Sequence, residues 1–547
     1  MSTARSTVVA TMVALVLVFA MPASTRAQHD GHRAGAAQQG AVTTLGSVSF
    51  PNSGSAAAQA SFRRGLALLH SFEYTEAAES FREAEKIDAR FALPYWFEAF
   101  TNSHILWSED DPSTARQALS KLAPTPAARL ALAKTDRERA YGAAIEAFYA
   151  ETTLDARSRA FADSMRHLTA RYPKDLEAAA FASLAILIAD ERGANRDEAI
   201  ALAERVMRES PNHPGAVHYL IHATDAPAYA ARGLAAARAY AKVAPDAEHA
   251  QHMPSHIFLQ LGLWDDAVAS NERAWKASRD WVQRRGASGA DLDFHDLQWL
   301  QYMYLQQGRY ALARSIIDTA RAVLAGVDLS SPEHADAQYV IATLAFQYGA
   351  ESWDWRPMQS VSDVPMPGAS ASRRAQFFAM MAMYQRAFAA AATGDTAAAS
   401  RGAARFRAIA DSVGPKVPTA SGMRAREIEA IGAERIDLER AIRLLQEASA
   451  FEDKFVFVGP PPTLVAHELL GDALVRAKRP AEAEVAYEQE LKLTPNRSGA
   501  LLGLARARAA RGDSTGAAEA ARRLLANWHL ADEDLAALAE ARRLAAK

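Results

Sequence analysis

The chain has 547 residues, which is more than one compact core holds, so we expect several domains or an array of repeats. Half of the residues are hydrophobic, which excludes a disordered chain. The formal net charge of −3 lacks the basic excess of a nucleic-acid-binding protein, so we predict no nucleic-acid partner. The sequence contains no cysteine, which excludes disulfide bonds.

The first 27 residues have the features of a secretory signal peptide. Arg5 supplies a positive charge, and residues 8–19 form a short apolar run. Thr25 and Ala27 are small residues at the two positions that a signal peptidase reads. Cleavage after Ala27 places the mature protein in the periplasm or outside the cell; an uncleaved anchor is the alternative. No later apolar run approaches the length of a membrane span, so we predict none after signal removal.

Residues 28–50 are rich in Ala, Gly, Gln and His without periodicity, which predicts a flexible lead-in. His29 and His32 lie there and could bind metal, although a solvated tail is the simpler interpretation. The helical pattern that follows is divided into an N-terminal lobe at 51–350 and a C-terminal lobe at 376–547. Residues 351–375, with Trp353, Trp355 and several prolines, indicate a loop or linker. One continuous solenoid with a long insertion is the alternative.

A spaced pattern of small and aromatic residues recurs along the helical part of the chain. Near the two ends it is carried by Gly65, Ala77, Phe81 and Ala84, and by Gly471, Ala483, Tyr487 and Pro495. Small residues let two helices approach closely, and the aromatic residue fills the gap between neighbouring pairs. Since one helix pair cannot bury its apolar face, the pairs must stack. The pattern predicts an all-α solenoid, a superhelix of antiparallel helix pairs whose first helices line the concave side.

These spacings resemble those of tetratricopeptide repeat (TPR) proteins, and the resemblance covers the whole mature chain. More closely, the chain is similar to a bacterial group of exported TPR proteins of comparable length. The matching blocks are H-P-G-A-V-H-Y-L-I-H at 213–222 and H-M-P-S-H-I-F at 252–258. The resemblance implies the fold but no settled activity. A TPR-like array implies a scaffold that holds a peptide, a protein or a small ligand in its concave groove.

Six of the fifteen histidines fall between residues 213 and 256. His218 and His222 are four residues apart, as are His252 and His256, so each pair shares one helical face. The pairs are separated by 34 residues, the length of one TPR unit, which places them at equivalent positions on neighbouring first helices. We therefore expect the four imidazoles to face one cavity, where they could bind a transition metal such as Zn, Cu, Ni or Fe.

Three further residues are expected to line the same groove. His249 precedes His252 by three positions, and His295 stands at the matching offset from the next turn glycine. Asp225, three residues after His222, extends the face by one turn. Asp225 is also the only nearby candidate for a catalytic base.

Pro254 lies between His252 and His256 and breaks the regular pattern. A proline inside a helix removes a backbone hydrogen bond and clashes with the preceding turn. Either the helix begins near Pro254, which weakens the shared face for His249 and His252, or the helix kinks there.

Trp96, Phe100 and His104 follow one another at i, i+4 and i+8 on the expected first helix of the second unit. They could form an aromatic wall for a ligand. Packing between helices is the alternative and the more frequent role of aromatic residues. Trp299 is interpreted as a repeat-packing residue.

Three interpretations of the histidines remain open. They bind a transition metal, they offer uncharged polar contacts to a peptide or small molecule, or they are structural groups at helix starts, which suits His213 best. No nucleophile, zinc-protease or P-loop motif occurs, so we assign no catalytic residue and no certain cofactor. The first hypothesis is an exported TPR scaffold that binds a protein or peptide. The alternative is a metal-binding protein, or a metal-dependent hydrolase or oxidase, that uses the same histidines. The oligomeric state is left open.

Overall fold

The computed structural model describes residues 44–104, 106, 109–190, 193–328, 335–361, 373–413, 418–454, 459 and 465–546. The predicted signal peptide at 1–27 and most of the predicted lead-in, with His29 and His32, lie outside the described residues.

Helices dominate the described part of the chain. Those of the first half are α1 Gln59–His70, α2 Tyr74–Ile87, α3 Leu93–Phe100, α4 Pro112–Leu122, α5 Pro126–Leu132, α6 Asp136–Ala150, α7 Leu154–Arg171, α8 Leu176–Ala189, α9 Arg196–Glu209, α10 Pro214–Thr224, α11 Ala230–Val243, α12 Glu248–His252 and α13 Pro254–Gln260. Those of the second half are α14 Trp264–Arg285, α15 Phe294–Gln306, α16 Tyr310–Val323, α17 Ala335–Ser352, α18 Arg373–Thr393, α19 Thr396–Val413, α20 Pro418–Ala433, α21 Leu438–Glu452, α22 Ala466–Arg476, α23 Pro480–Leu493, α24 Ser498–Ala510, α25 Ser514–Asn527 and α26 Ala536–Ala545.

Extended structure among the described residues is limited to one small hairpin. Strand β1 (Ser103–His104) pairs antiparallel with β2 (Glu109–Asp110). Consecutive helices pack against each other along the array. The prediction of an all-α helical-repeat fold is confirmed.

The recurring glycine–aromatic pairs explain how the two helices of a unit pack. A Cβ atom at Gly65 would lie only 2.6 Å from the ring of Phe81, so the ring of α2 occupies the space above the α1 backbone. Gly471 and Tyr487 repeat the arrangement between α22 and α23, again at 2.6 Å. Because glycine has no side chain at these points, the aromatic ring packs directly on the backbone of the partner helix.

The array closes on itself, so that units far apart in sequence are in contact. On the N-terminal side, Trp281 of α14 donates a hydrogen bond of 2.7 Å to Glu76 of α2. On the C-terminal side, Trp264 donates to the Asn496 carbonyl at 3.0 Å, and Ser498 donates to the Gln306 carbonyl at 2.6 Å. Helix α10 also packs against α1 and α13, so its buried face meets other helices.

The region of the predicted linker contains a short turn of 3₁₀-helix. Helix α17 continues to Ser352, the 3₁₀-helix spans Arg356–Ser360, and α18 begins at Arg373 and packs on α17. One hydrophobic cluster runs from Leu45 to Leu544. The division into lobes at 51–350 and 376–547 stays a prediction.

Within the described ranges, no helix combines the length and the apolar character that crossing a membrane requires.

Candidate metal centre

Helix α10 presents two histidines on its buried face. His213 caps the helix, with its Nδ1 accepting the Ala216 N–H at 3.1 Å, and Pro214 occupies the first turn, where its missing N–H is harmless. The i, i+4 spacing then brings the Nε2 atoms of His218 and His222 to 3.0 Å from each other. This capping role of His213 is the structural one that its position before Pro214 favours.

The next histidines lie on a helix that kinks at Pro254. Helix α12 ends at His252 and α13 begins at Pro254, but Met253 between them keeps helical angles (φ −53°, ψ −34°). Of the two possibilities at Pro254, the structure therefore has the kink. The Nε2 atoms of His252 and His256 lie 3.1 Å apart across it.

Six imidazoles form two groups of three, which we call the first and the second triad. The first triad is His218, His222 and His249, and the second is His252, His256 and His295. In each triad the ligand atoms lie within 4.8 Å of one another. The four histidines expected to face one cavity are thus distributed two to each triad. His249 and His295, which we expected to line a groove, complete the two triads.

The two triads are neighbours. The ring centroids of His222 and His256, which belong to different triads, lie 6.1 Å apart, and those of His249 and His252 lie 6.2 Å apart. Within the first triad the His222–His249 distance is 6.3 Å. Because these spacings between the triads are no longer than the His222–His249 spacing within one, the six rings form one continuous cluster.

Outer hydrogen bonds fix which ring nitrogen carries the proton. Nδ1 of His218 lies 2.6 Å from the carbonyl oxygen of His70, which only accepts, so the proton is on Nδ1. Nδ1 of His256 lies 2.6 Å from Oδ2 of Asp225, whose Oδ1 also accepts from Gln260 at 3.0 Å. In both neutral rings, Nε2 is left as a lone pair directed at the other histidines.

Outer partners also fix the position of the proton on His252. Its Nδ1 lies 2.9 Å from Oδ1 of Asn271 and 3.0 Å from Oδ1 of Asp296. The Asn271 amide is oriented by its own donation to the Ala267 carbonyl at 3.0 Å, so its oxygen faces the ring. Nε2 of His252 and Nε2 of His256 are therefore both lone pairs, and they face each other at 3.1 Å.

Burial keeps the six rings uncharged. It lowers the pKa of His218 to about 3, despite the hydrogen bond to the His70 carbonyl. Burial also lowers the pKa of the other five rings, and neighbouring imidazoles lower that of His222, His249 and His295 further. A proton between the facing lone pairs would place a charge in this site, which burial opposes. The uncharged imidazole is the form that binds metals.

A second histidine cluster nearby has no such conflict. Nε2 of His70 donates to Glu177 at 2.9 Å, and its Nδ1 accepts from the Tyr219 hydroxyl at 2.9 Å. His213 uses Nδ1 as the helix cap, so its Nε2–H faces Glu177 at 3.3 Å. Each lone pair in this cluster meets a proton, so no two lone pairs face each other.

No family model and no curated protein matches the chain. Among solved structures it is similar to yeast Tom70, with 12% identity, a TM-score of 0.33, and 90% of this chain and 96% of that one covered. It is also similar to the human IFIT1 dimer with PPP-AAAA, with 11% identity, a TM-score of 0.34, and 81% of this chain and 92% of that one covered. A third similar structure is the APC/C hetero-tetramer Cut9–Hcn1, with 11% identity, a TM-score of 0.33, and 90% of this chain and 78% of that one covered. The helices and their packing show an all-α helical-repeat fold.

In each triad, one aromatic ring lies close to all three imidazoles. Phe72, in the turn after α1, has its ring centroid 4.3 Å from His218, 5.7 Å from His222 and 5.6 Å from His249. Trp299 of α15 lies 4.8, 4.3 and 5.5 Å from His252, His256 and His295, respectively. Sequence reasoning missed Phe72 and interpreted Trp299 as repeat packing. The sequence carries no signal for either contact, because each depends on how distant units meet.

The expected aromatic wall is not at the triads. Trp96 is fully buried and donates to Glu146 at 2.8 Å. Phe100 packs against Phe161 of α7 with centroids 4.9 Å apart, and His104 stacks on Tyr74 at 4.0 Å. Trp96 and Phe100 therefore belong to the helix-packing core, which was the alternative for these residues.

Proposed function

We propose that this TPR-like protein binds two transition-metal ions, one at each triad, as a dinuclear centre. The observation that carries the proposal is the pair of lone pairs on His252 and His256, which face each other at 3.1 Å with both Nδ1 protons held by outer partners. A cation bound by both nitrogens removes their repulsion.

The nature of the ligands favours copper first. Each triad offers three uncharged imidazoles, which suit Cu, Zn, Ni and Fe, and the Irving–Williams order places Cu²⁺ highest for a given nitrogen site. Asp225 and Asn271 stand behind the rings rather than among the ligands, where such groups orient the imidazoles and raise their basicity.

With three histidines holding each ion, a coordination position would be left for a substrate, as in catalytic rather than structural sites. A bound metal supplies Lewis-acid or redox chemistry there. The chain's own residues bind and orient the ion and keep water away. Asp225, considered above as a base, is held by His256 and Gln260, so we assign it orientation of the ring. An oxidase or hydrolase reaction remains the enzymatic form of this proposal.

The scaffold function and export are separate hypotheses, and each has its own test. The scaffold function, with a peptide or protein in the groove, rests on the repeat architecture and is tested by binding without metal. Export is supported by the sequence of residues 1–27 alone. N-terminal sequencing of the secreted protein should begin at Gln28, and an intact Met1 would contradict it.

Metal analysis of protein purified without a histidine tag tests the main proposal. We expect two ions per chain in the wild type, one in either His218→Ala or His252→Ala, and none in the double variant. His167 is exposed and its Nδ1 bonds to the Asp163 carbonyl at 2.8 Å, so His167→Ala is the matched control and should keep both ions. A wild type that takes up no Cu, Zn, Ni or Fe would contradict the proposal. Loss of far-UV helicity in the metal-free double variant would favour a structural role.

A further inference from the structure

Phe72 occupies a backbone position where most equivalent turns of this chain have glycine. The turn after α1 has φ +58° at Phe72, whose N–H bonds to the carbonyl three residues back. The N–H of the following residue bonds to a carbonyl five residues back. The same two bonds and a positive φ recur at Gly262, Gly308, Gly394, Gly512 and Lys478.

A phenylalanine in this left-handed region is strained. The conformation costs about 1–2 kcal/mol for a residue with a Cβ, and glycine avoids that cost. Its ring is nevertheless buried, with only 8% of the residue exposed. Strained positions of this kind cluster at functional sites.

Phe72 borders two environments. Its ring lies near the three imidazoles of the first triad, at centroid distances of 4.3 to 5.7 Å. Phe72 also lines a small cavity of about 10 Å³. Its walls are mostly apolar and include Leu69, Tyr74, Phe100, Phe181 and Leu184.

We infer that Phe72 is the specificity-determining residue of the first triad, and that its ring restricts access from the apolar cavity to small uncharged molecules. The inference rests on the proposed metal centre. The cavity of about 10 Å³ is at the lower limit for a single water-sized molecule, so only the smallest molecules can pass through it, and larger ones require its walls to move. Its walls offer little compensation for the desolvation of an anion. Movement of the ring would connect this cavity with the metal.

The binding of carbon monoxide to the copper(I)-loaded protein tests the inference, with infrared spectra and stopped-flow rates as the readouts. We expect Phe72→Ala to bind carbon monoxide at the first triad on the order of tenfold faster than the wild type, because the ring that restricts access is removed. Phe72→Leu keeps an apolar side chain, should fold in any case, and should give an intermediate rate. The binding rate of azide, a small anion, should increase less than that of carbon monoxide in both variants.

Lys478→Gly is the matched control, because it changes the same turn position between α22 and α23, and both triads are built from α10, α12, α13 and α15. Its carbon monoxide rate should equal that of the wild type. Normal copper content in both Phe72 variants with unchanged carbon monoxide rates would overturn this inference alone. Absence of copper from the wild type would instead overturn the proposed function, and this inference with it.

Discussion

At the scale of single residues, the position of one proton decides what a histidine can do. A neutral imidazole has one lone pair, and its outer partner determines which nitrogen carries it. The His70 carbonyl, Asp225 and Asn271 place the lone pairs of three rings toward the interior of the triads. In the neighbouring cluster, Glu177 and Tyr219 use every ring nitrogen of His70. The distances between histidines alone would not have distinguished the two triads from the hydrogen-bonded cluster of His70 and His213.

Asp225→Asn tests this role of the outer partners. The amide is a weaker acceptor than the carboxylate and can also present its NH₂ group to His256, so the ring is held less firmly. We expect metal affinity at the second triad to fall by about 10–100-fold while the first triad is unaffected. Competition with a chelator measures the affinity of each site. Asp280→Asn, on the exposed face of α14, is the control, and equal losses in both variants would contradict the assignment.

Buried Glu427 predicts how the stability of the fold depends on pH. Burial raises the pKa of Glu427 to about 8, although Tyr384 donates to its Oε2 at 2.7 Å. The folded chain therefore holds this proton more tightly than the unfolded chain. The resulting stabilisation is complete below the usual value of 4.5 and is lost as the pH rises through about 8.

We expect the unfolding free energy of the wild type to decline between these two pH values, as measured by urea denaturation. The unfolding free energy of Glu427→Gln should decline less over the same pH range, because the amide does not ionise. Burial raises the pKa of Glu452 to about 8 as well, so part of the decline remains in the variant. Glu439→Gln, at an exposed site, should follow the wild type. A Glu427→Gln curve parallel to that of the wild type would contradict the prediction.

At the scale of helices, the sequence predicted what local spacing determines. Glycine–aromatic pairs predicted which helices pack, and Gly65 with Phe81 does so. The i, i+4 spacing brought His252 and His256 together, although Pro254 left two possibilities that only the angles of Met253 decide. The division into two triads could not be predicted, since it depends on the packing of α10, α12, α13 and α15.

Gly233 tests how closely α11 packs beside the site. A Cβ atom there would collide with Thr224 at the end of α10 and lie 2.9 Å from Ile257 of α13. We expect Gly233→Ala to destabilise the protein by about 1–3 kcal/mol, because overpacking outweighs the better helix propensity of alanine. Gly432 has nothing within 4 Å of such a Cβ atom, so Gly432→Ala should be neutral or stabilising. Thermal unfolding measures both, and equal effects would contradict the packing argument.

At the scale of the whole molecule, Arg497 joins the last units to the middle of the array. Only 1% of its side chain is exposed, and its guanidinium donates to Glu468 at 2.8 Å, to Glu351 at 2.8 Å and to the Tyr302 hydroxyl at 2.9 Å. These partners lie on α22, α17 and α15, and Arg497 itself is the N-cap of α24, so one charge connects four helices.

Arg497→Met should destabilise the protein by about 3–5 kcal/mol, because it leaves two buried carboxylates without their cation. Arg506 pairs with Glu540 at a site where 42% of the Arg506 side chain is exposed, and Arg506→Met should change stability by no more than about 1 kcal/mol. Urea denaturation compares the two. A loss below about 1 kcal/mol for Arg497→Met would show that this network is not a major support of the fold.

The closure of the array makes the proposed metal centre dependent on units far apart in the chain. Helix α1 ends with the His70 carbonyl that orients His218, and the next turn supplies the ring of Phe72. Until the first unit docks against α10, the first triad lacks both. A ligand that binds only the docked state stabilises it in proportion to the logarithm of ligand concentration. Metal uptake at the first triad would thus depend on docking of the first unit, and chains in which that unit is undocked would bind metal at the second triad alone.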